Sequence, residues 1–92
     1  MRFTVVWTPE MQDDFLNHWL NSDSQTRRRL TEISTAVDHY LAEQPLERSK
    51  LIPTNPNVRV CTLPGFFPIV SVIVEIKTED RLVRVSAIYF AR

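Results

Sequence analysis

Two apolar runs near the end of the chain, FPIVSVIVEI at residues 67–76 and RLVRVSAIYF at residues 81–90, are interrupted by polar residues at even spacing: Ser71 and Glu75 in the first, Arg84 and Ser86 in the second. On strands, residues two or four apart share a face, so these four bring two hydroxyls, a carboxylate and a guanidinium to one side of a sheet. The chemistry such groups can do is to hold an anion, and the question is whether the rest of the chain supports it.

Other reactive residue types are poorly placed for catalysis. The single glycine excludes every glycine-rich phosphate loop, and His18 and His39 fall in separate helical segments without a second metal ligand four residues on. No nucleophile has a base beside it in sequence, so neither a metal nor a cofactor is expected. The pairs Asp13–Asp14 and Glu79–Asp80 fall in the opening of a helix and in a hairpin loop, where such charges are solvated. Cys61 stands alone in VRVCTL and reads as a small buried hydrophobe. In TRRRL, residues 26–30, successive side chains point about 100° apart on a helix. The arginines therefore read as a solvated face, or as partners of Asp23 and Glu32, not as one flat phosphate patch.

The elements that position these residues follow from periodicity. RFTVVW, residues 2–7, is β-branched and aromatic and predicts a first strand. Thr8 as cap, Pro9 at the first helical position and Glu10, Asp13 and Asp14 near the positive end of the dipole predict a helix. Its apolar stripe is Met11, Phe15 and Trp19, with Leu16 and Leu20 alongside. NSDS, residues 21–24, breaks the pattern, and a second helix is predicted over about 24–43 with Leu30, Ile33, Val37 and Leu41 inward and Pro45 as its stop. The stretch 45–57, with three prolines, reads as a surface loop. Strands are predicted at 58–63 and across the two apolar runs, with Pro64–Gly65 at the centre of a type II turn. Alternation assigns Val70, Val72, Val74, Ile76, Val83, Val85, Ala87 and Tyr89 to the helix side. It leaves Ile69, Ser71, Ile73, Glu75, Leu82, Arg84, Ser86, Ile88 and Phe90 facing outward. The expected architecture is α+β, in the order β-α-α-β-β-β, with a helical hairpin packed on one face of a mostly antiparallel four-stranded sheet.

Composition sets the bounds on function. A chain of 92 residues is one domain, burying roughly 60–65% of its unfolded surface, so a partner would not be surprising. No apolar run reaches the ~20 residues of a membrane span and the N-terminus lacks a signal-peptide pattern, which predicts a cytoplasmic protein with no membrane partner. Net charge is zero, yet residues 1–47 carry four bases against eight acids and residues 48–92 carry seven bases against three acids. The basic half either meets an anion such as RNA phosphate or offsets its own acidic helices, and the balanced total favours the second. Leu82, Ile88 and Phe90, left outward on the last strand, form a candidate apolar patch for partner binding.

This order of elements, with VVWTPEMQDDFLNHWL at the start, LPGFFPIVSVIVEI in the middle and TEDRLVRVSAIYF at the end, resembles the RelE/ParE superfamily of small toxins from bacterial type II toxin–antitoxin pairs. TPEMQDDF matches the segment through which the family's first strand enters its helix, and the likeness spans essentially the whole chain. The resemblance implies one RelE/ParE-like toxin domain over residues 1–92, growth inhibition, plasmid stabilisation and a cognate antitoxin that wraps the toxin. It also implies one of two targets. RelE-like members cut messenger RNA on the ribosome with a basic sheet face, whereas ParE-like members bind and poison DNA gyrase.

By position, Arg59 matches a basic residue of the RNA-holding outer face, and Arg92 falls where another arginine follows the last strand. Arg84 is the third candidate. Ser71 stands where ribonuclease members have an arginine, Glu75 repels phosphate, and the chain ends before the segment that supplies a stacking tyrosine in those enzymes. Tyr89 does not replace it, because alternation puts its ring on the helix side, where it reads as a core tyrosine. The sequence therefore favours a ParE-like, gyrase-binding toxin. The alternatives are an mRNA endoribonuclease with an altered site built from Arg59, Arg84 and Arg92, and a non-toxic interaction module.

Overall fold

The computed structural model describes residues 2–90. Its elements are β1 (Thr4–Trp7), α1 (Pro9–Leu20), α2 (Ser24–Ala42), β2 (Lys50–Ile52), β3 (Asn55–Thr62), β4 (Val70–Lys77) and β5 (Leu82–Phe90). Both helices begin where the capping residues stand. Thr8 Oγ1 accepts from the Met11 N–H at 3.2 Å, and Asp23 Oδ1 accepts from the Thr26 N–H at 2.8 Å. That second bond holds the Asp23 carboxyl below its ordinary value. Helix α2 stops before Pro45, where Glu43 is extended and Gln44 takes a left-handed φ of 52°.

The inward stripe of α2 is fully realised: Leu30, Ile33, Val37 and Leu41 are all buried. Ile33, Val37 and Leu41 meet Cys61, Leu63, Val70, Val72, Val74, Val83 and Val85 in one core between helix and sheet. Burying each such side chain stabilises the fold by about 1.5–3 kcal/mol. Helix α1 differs, because none of its residues is fully buried and its stripe only leans on the core. Among the described residues no helix is long and apolar enough to cross a membrane.

The sheet has five strands in the order β1-β5-β4-β3-β2, with β1 parallel to β5 and the other pairs antiparallel. The α+β class and the helical layer on one face are as expected, but the four-stranded count is corrected. The stretch expected to be a loop contains β2, and β3 starts at Asn55. The prolines that hid this hairpin occupy positions a sheet tolerates. Pro53 is in the turn between the strands, and Pro56 falls where the β2–β3 register shifts. The Pro64–Gly65 turn forms as the dipeptide predicts, and Gly65 supplies the positive φ of 82° that its second central position requires.

The larger correction lies in β5. Val74 is opposite Val85, whereas its neighbour Ile73 is opposite Ala87, so Ser86 is an extra residue, a β-bulge. Its Oγ donates to the Ile73 carbonyl at 3.1 Å. Beyond the bulge every side chain changes sides relative to simple alternation. Ile88 lies opposite Val72 and packs on the core, and Phe90 lies opposite Val70 and stacks on His18 of α1 at 6.3 Å. The outward patch expected from Leu82, Ile88 and Phe90 is therefore not formed; of the three, only Leu82 keeps its outward place. Tyr89, expected on the helix side, lies opposite Ser71 on the outer face and is 60% exposed.

Because Ser86 is the supernumerary residue, deleting it joins Val85 to Ala87 in a regular ladder with every other face kept. The shortened chain should remain folded by circular dichroism, with Tyr89 still nitrated by tetranitromethane. Unfolding, or protection of Tyr89, would contradict this register.

Candidate functional site on the outer face of the sheet

The face away from the helices is built in rows by the strand register. Thr62, Ser71 and Tyr89 form one row across β3, β4 and β5. Lys50, Val60, Ile73 and Ala87 form the next. Glu75, Arg84 and Val6 form a third, and Lys77, Leu82 and Thr4 a fourth. The middle is thus apolar and half-buried, with an aromatic ring at one end and charges toward the other. Tyr89 stands beside two hydroxyls over a floor of Ala87 and Ile73, a surface suited to stacking a planar group.

The arginines expected to grip phosphate are not brought together. Arg59 is opposite Val74, whose side chain is fully buried, so it belongs to the helix side of β3. Its Nε donates to Ser49 Oγ at 2.8 Å, and its Nη2 donates to the carbonyls of Leu46 at 3.0 Å and Ser49 at 3.1 Å. Ser49 is itself buried, and its hydroxyl donates to the Pro45 carbonyl at 2.6 Å. The Arg59 guanidinium therefore holds the segment that follows α2 and is spent on structure. Position along the strand had suggested the outer face; strand parity decides otherwise.

Arg84 does lie on the outer face, half-buried between Val6 and Glu75. The carboxylate directly across from it offsets its charge, which weakens it as a phosphate ligand. Arg92 lies outside the described residues. Cys61 is fully buried, and burial pushes its thiol up to about 11, so it is not a nucleophile at neutral pH. Among the described residues no group of three metal-ligating side chains converges.

The arginine run has a structural use that periodicity did not reveal. Arg27 lies 4.7 Å over the Trp19 ring and donates to the Trp19 and Leu20 carbonyls, both at 3.0 Å, capping the negative end of α1. Arg29 donates to the Phe67 carbonyl at 2.6 Å and so ties α2 to the β3–β4 loop. The expected pairing of the run with Asp23 and Glu32 gives way to these carbonyl contacts, which a helix C-terminus facing a cation makes favourable.

Replacing Arg59 by alanine should lower stability by about 2–3 kcal/mol, because Ser49 and two carbonyls lose a charged donor in a partly buried place. Lysine should not restore it, having no planar fork to reach all three. A urea midpoint equal to wild type for Arg59→Ala would contradict this role.

The comparison with known proteins places this geometry. No family model matches the sequence, and no curated protein matches it. Solved structures do. The toxin–antitoxin complex RelBE2 from Mycobacterium tuberculosis superposes with a TM-score of 0.75 at 14% identity, over 99% of this chain and 93% of that one. An arginine-substituted form of the E. coli toxin RelE in the free state gives 0.59 at 16% identity, over 100% of this chain and 86% of that one. The isolated E. coli RelE toxin gives 0.57 at 16% identity, over 98% and 85%. The chain has the RelE-type α+β fold across essentially its whole length, as the resemblance implied.

Proposed function

From a chain with the RelE-type fold, we propose the toxin component of a type II toxin–antitoxin pair that arrests growth by engaging messenger RNA on the translating ribosome. The observation that carries the choice of target is Tyr89. Alternation alone assigned this ring to the core, and so gave the RNA reading nothing to set against Ser71 and Glu75. The bulge at Ser86 turns it outward beside Ser71 and Thr62, where an aromatic face can stack an unpaired base. Lys50 and Lys77 on the same face add positive charge that attracts a phosphate backbone, Arg84 being offset by Glu75 across from it.

The reading is of a face that holds RNA by stacking, without the arginine cluster that would stabilise a phosphoryl transition state. A cognate antitoxin, consistent with the complexes in which similar folds occur, would keep the protein inactive in the cytoplasm. The gyrase reading keeps two observations in its favour: Arg59 is committed to structure, and Ser71 brings no charge.

Pulse-labelling within minutes of inducing the chain alone in bacteria separates these readings. Protein synthesis should fall first. If DNA synthesis falls first, gyrase is the target; if neither changes, the chain is not a toxin.

A further inference from the structure

The loop between β3 and β4 carries the most exposed large hydrophobic side chain among the described residues, Phe67 at 84%. A phenylalanine so exposed adds little to the fold, yet the backbone beneath it is held in place. Arg29 of α2 donates to the Phe67 carbonyl at 2.6 Å and to the Pro68 carbonyl at 3.4 Å. Its guanidinium also lies 5.8 Å from the centre of the Phe66 ring, and Phe66 packs on the core. The Phe67 ring is thus presented to solvent from a braced segment.

Phe67 does not stand alone. Val70 is fully buried, so Ile69 before it turns to the other side of the chain, where it is 47% exposed on the outer face. Two residues further is Ser71, the cross-strand neighbour of Tyr89. Phe67 precedes Ser71 by four residues, at most about 14 Å of extended chain. Phe67, Ile69 and Tyr89 therefore gather at one end of the sheet, two aromatic rings with an aliphatic step between them. Charge selects the occupant. Residues 58–74 and 81–92 contain no acid, whereas Glu75, Glu79 and Asp80 are all toward the opposite end of β4, and the charge that Arg29 brings to the loop is positive. Such an end of a sheet suits unpaired bases, since RNA-binding sheets stack two or three bases on separate aromatic side chains.

We infer that Phe67 is a second base-stacking residue, placed beyond Tyr89 so that one single-stranded RNA occupies both rings. The inference rests on the RNA reading of the outer face and adds the direction the strand takes, toward the β3–β4 loop and away from Glu75.

The probe is a fluorescein-labelled oligoadenylate of about eight nucleotides, its binding to the full chain followed by anisotropy. Phe67→Ala should weaken binding about fivefold to 150-fold, the range for loss of one base–aromatic stack. Circular dichroism should stay unchanged, because the ring is exposed. Phe67→Trp should bind at least as tightly as wild type, and Phe67→Leu should be as weak as the alanine variant, since leucine is apolar but offers no π-face. Wild-type affinity in Phe67→Ala alongside a loss in Tyr89→Ala would overturn this inference and leave the RNA reading standing. No binding by the wild-type chain would overturn that reading and the inference with it. Full binding by Phe67→Leu would overturn the inference by making the contact merely apolar. Loss of growth arrest in Phe67→Ala with RNA affinity intact would do so by giving the loop to a protein partner.

Discussion

Tyr89→Ala should abolish growth arrest on induction while leaving the melting temperature within a degree or two of wild type. The ring is 60% exposed and rests on small neighbours, so its loss removes little from the fold. Stacking of one base on an aromatic side chain contributes about 1–3 kcal/mol, which is about fivefold to 150-fold in affinity for single-stranded RNA. The check is growth after induction together with binding to a short RNA oligomer measured by anisotropy. Tyr89→Phe should retain most of the arrest, because the proposed contact uses the ring and not the hydroxyl. Full arrest by the alanine variant would remove the outer face from the mechanism. Loss in the phenylalanine variant would assign the hydroxyl a part in the chemistry.

The largest expected effect on stability belongs to Ile33. It is fully buried at the centre of the contact between α2 and the sheet. Truncation to alanine should cost about 3–4 kcal/mol, the transfer free energy of the lost groups together with the cavity left behind. For a domain of this size, whose total stability is about 5–14 kcal/mol, that is a large share. Urea unfolding should show a lower midpoint with an unchanged slope. Ile33→Val should lose about 1 kcal/mol, and Leu16→Ala, half exposed on α1, less still. A loss below about 1 kcal/mol in Ile33→Ala would mean that α2 does not pack as described.

The two predictions probe opposite faces of one sheet, and the bulge at Ser86 is what divides them. Before it, Val83 and Val85 face the helices as alternation requires. After it, Ile88 and Phe90 take that side and Tyr89 is turned out. A sequence reading that carries the period of two through all nine residues of β5 assigns the last four side chains, Ala87 to Phe90, to the wrong faces. The bulge leaves no local signature in SAIYF, because its cause is the pairing of β5 with β4 and the hydroxyl contact to Ile73 across the strands.

Arg59 teaches the same lesson with charge. Its place in VRVCTL suggested a ligand for phosphate, but partners ten and thirteen residues earlier claim it. Those partners lie in a stretch whose prolines obscured both the buried Ser49 and the strand β2. The arginine run was equally opaque: the two carbonyls that Arg27 caps belong to the preceding helix, and the one that holds Arg29 lies 38 residues away.

What the sequence determined by itself is what depends on neighbours in the chain. Thr8, Pro9 and Asp23 set the helix starts, the spacing of Leu30, Ile33, Val37 and Leu41 chose the buried side of α2, and Pro64–Gly65 fixed the turn between β3 and β4. Together these gave the α+β class and the family likeness. Tertiary structure alone decided the fifth strand, the side to which Tyr89 points, the use of Arg59, and the tie from Arg29 to the loop that carries Phe67. Each of those depends on backbone pairing or contact between residues distant in sequence, and hydrophobic periodicity carries no information about a single extra residue in a ladder or about which carbonyl a guanidinium will find.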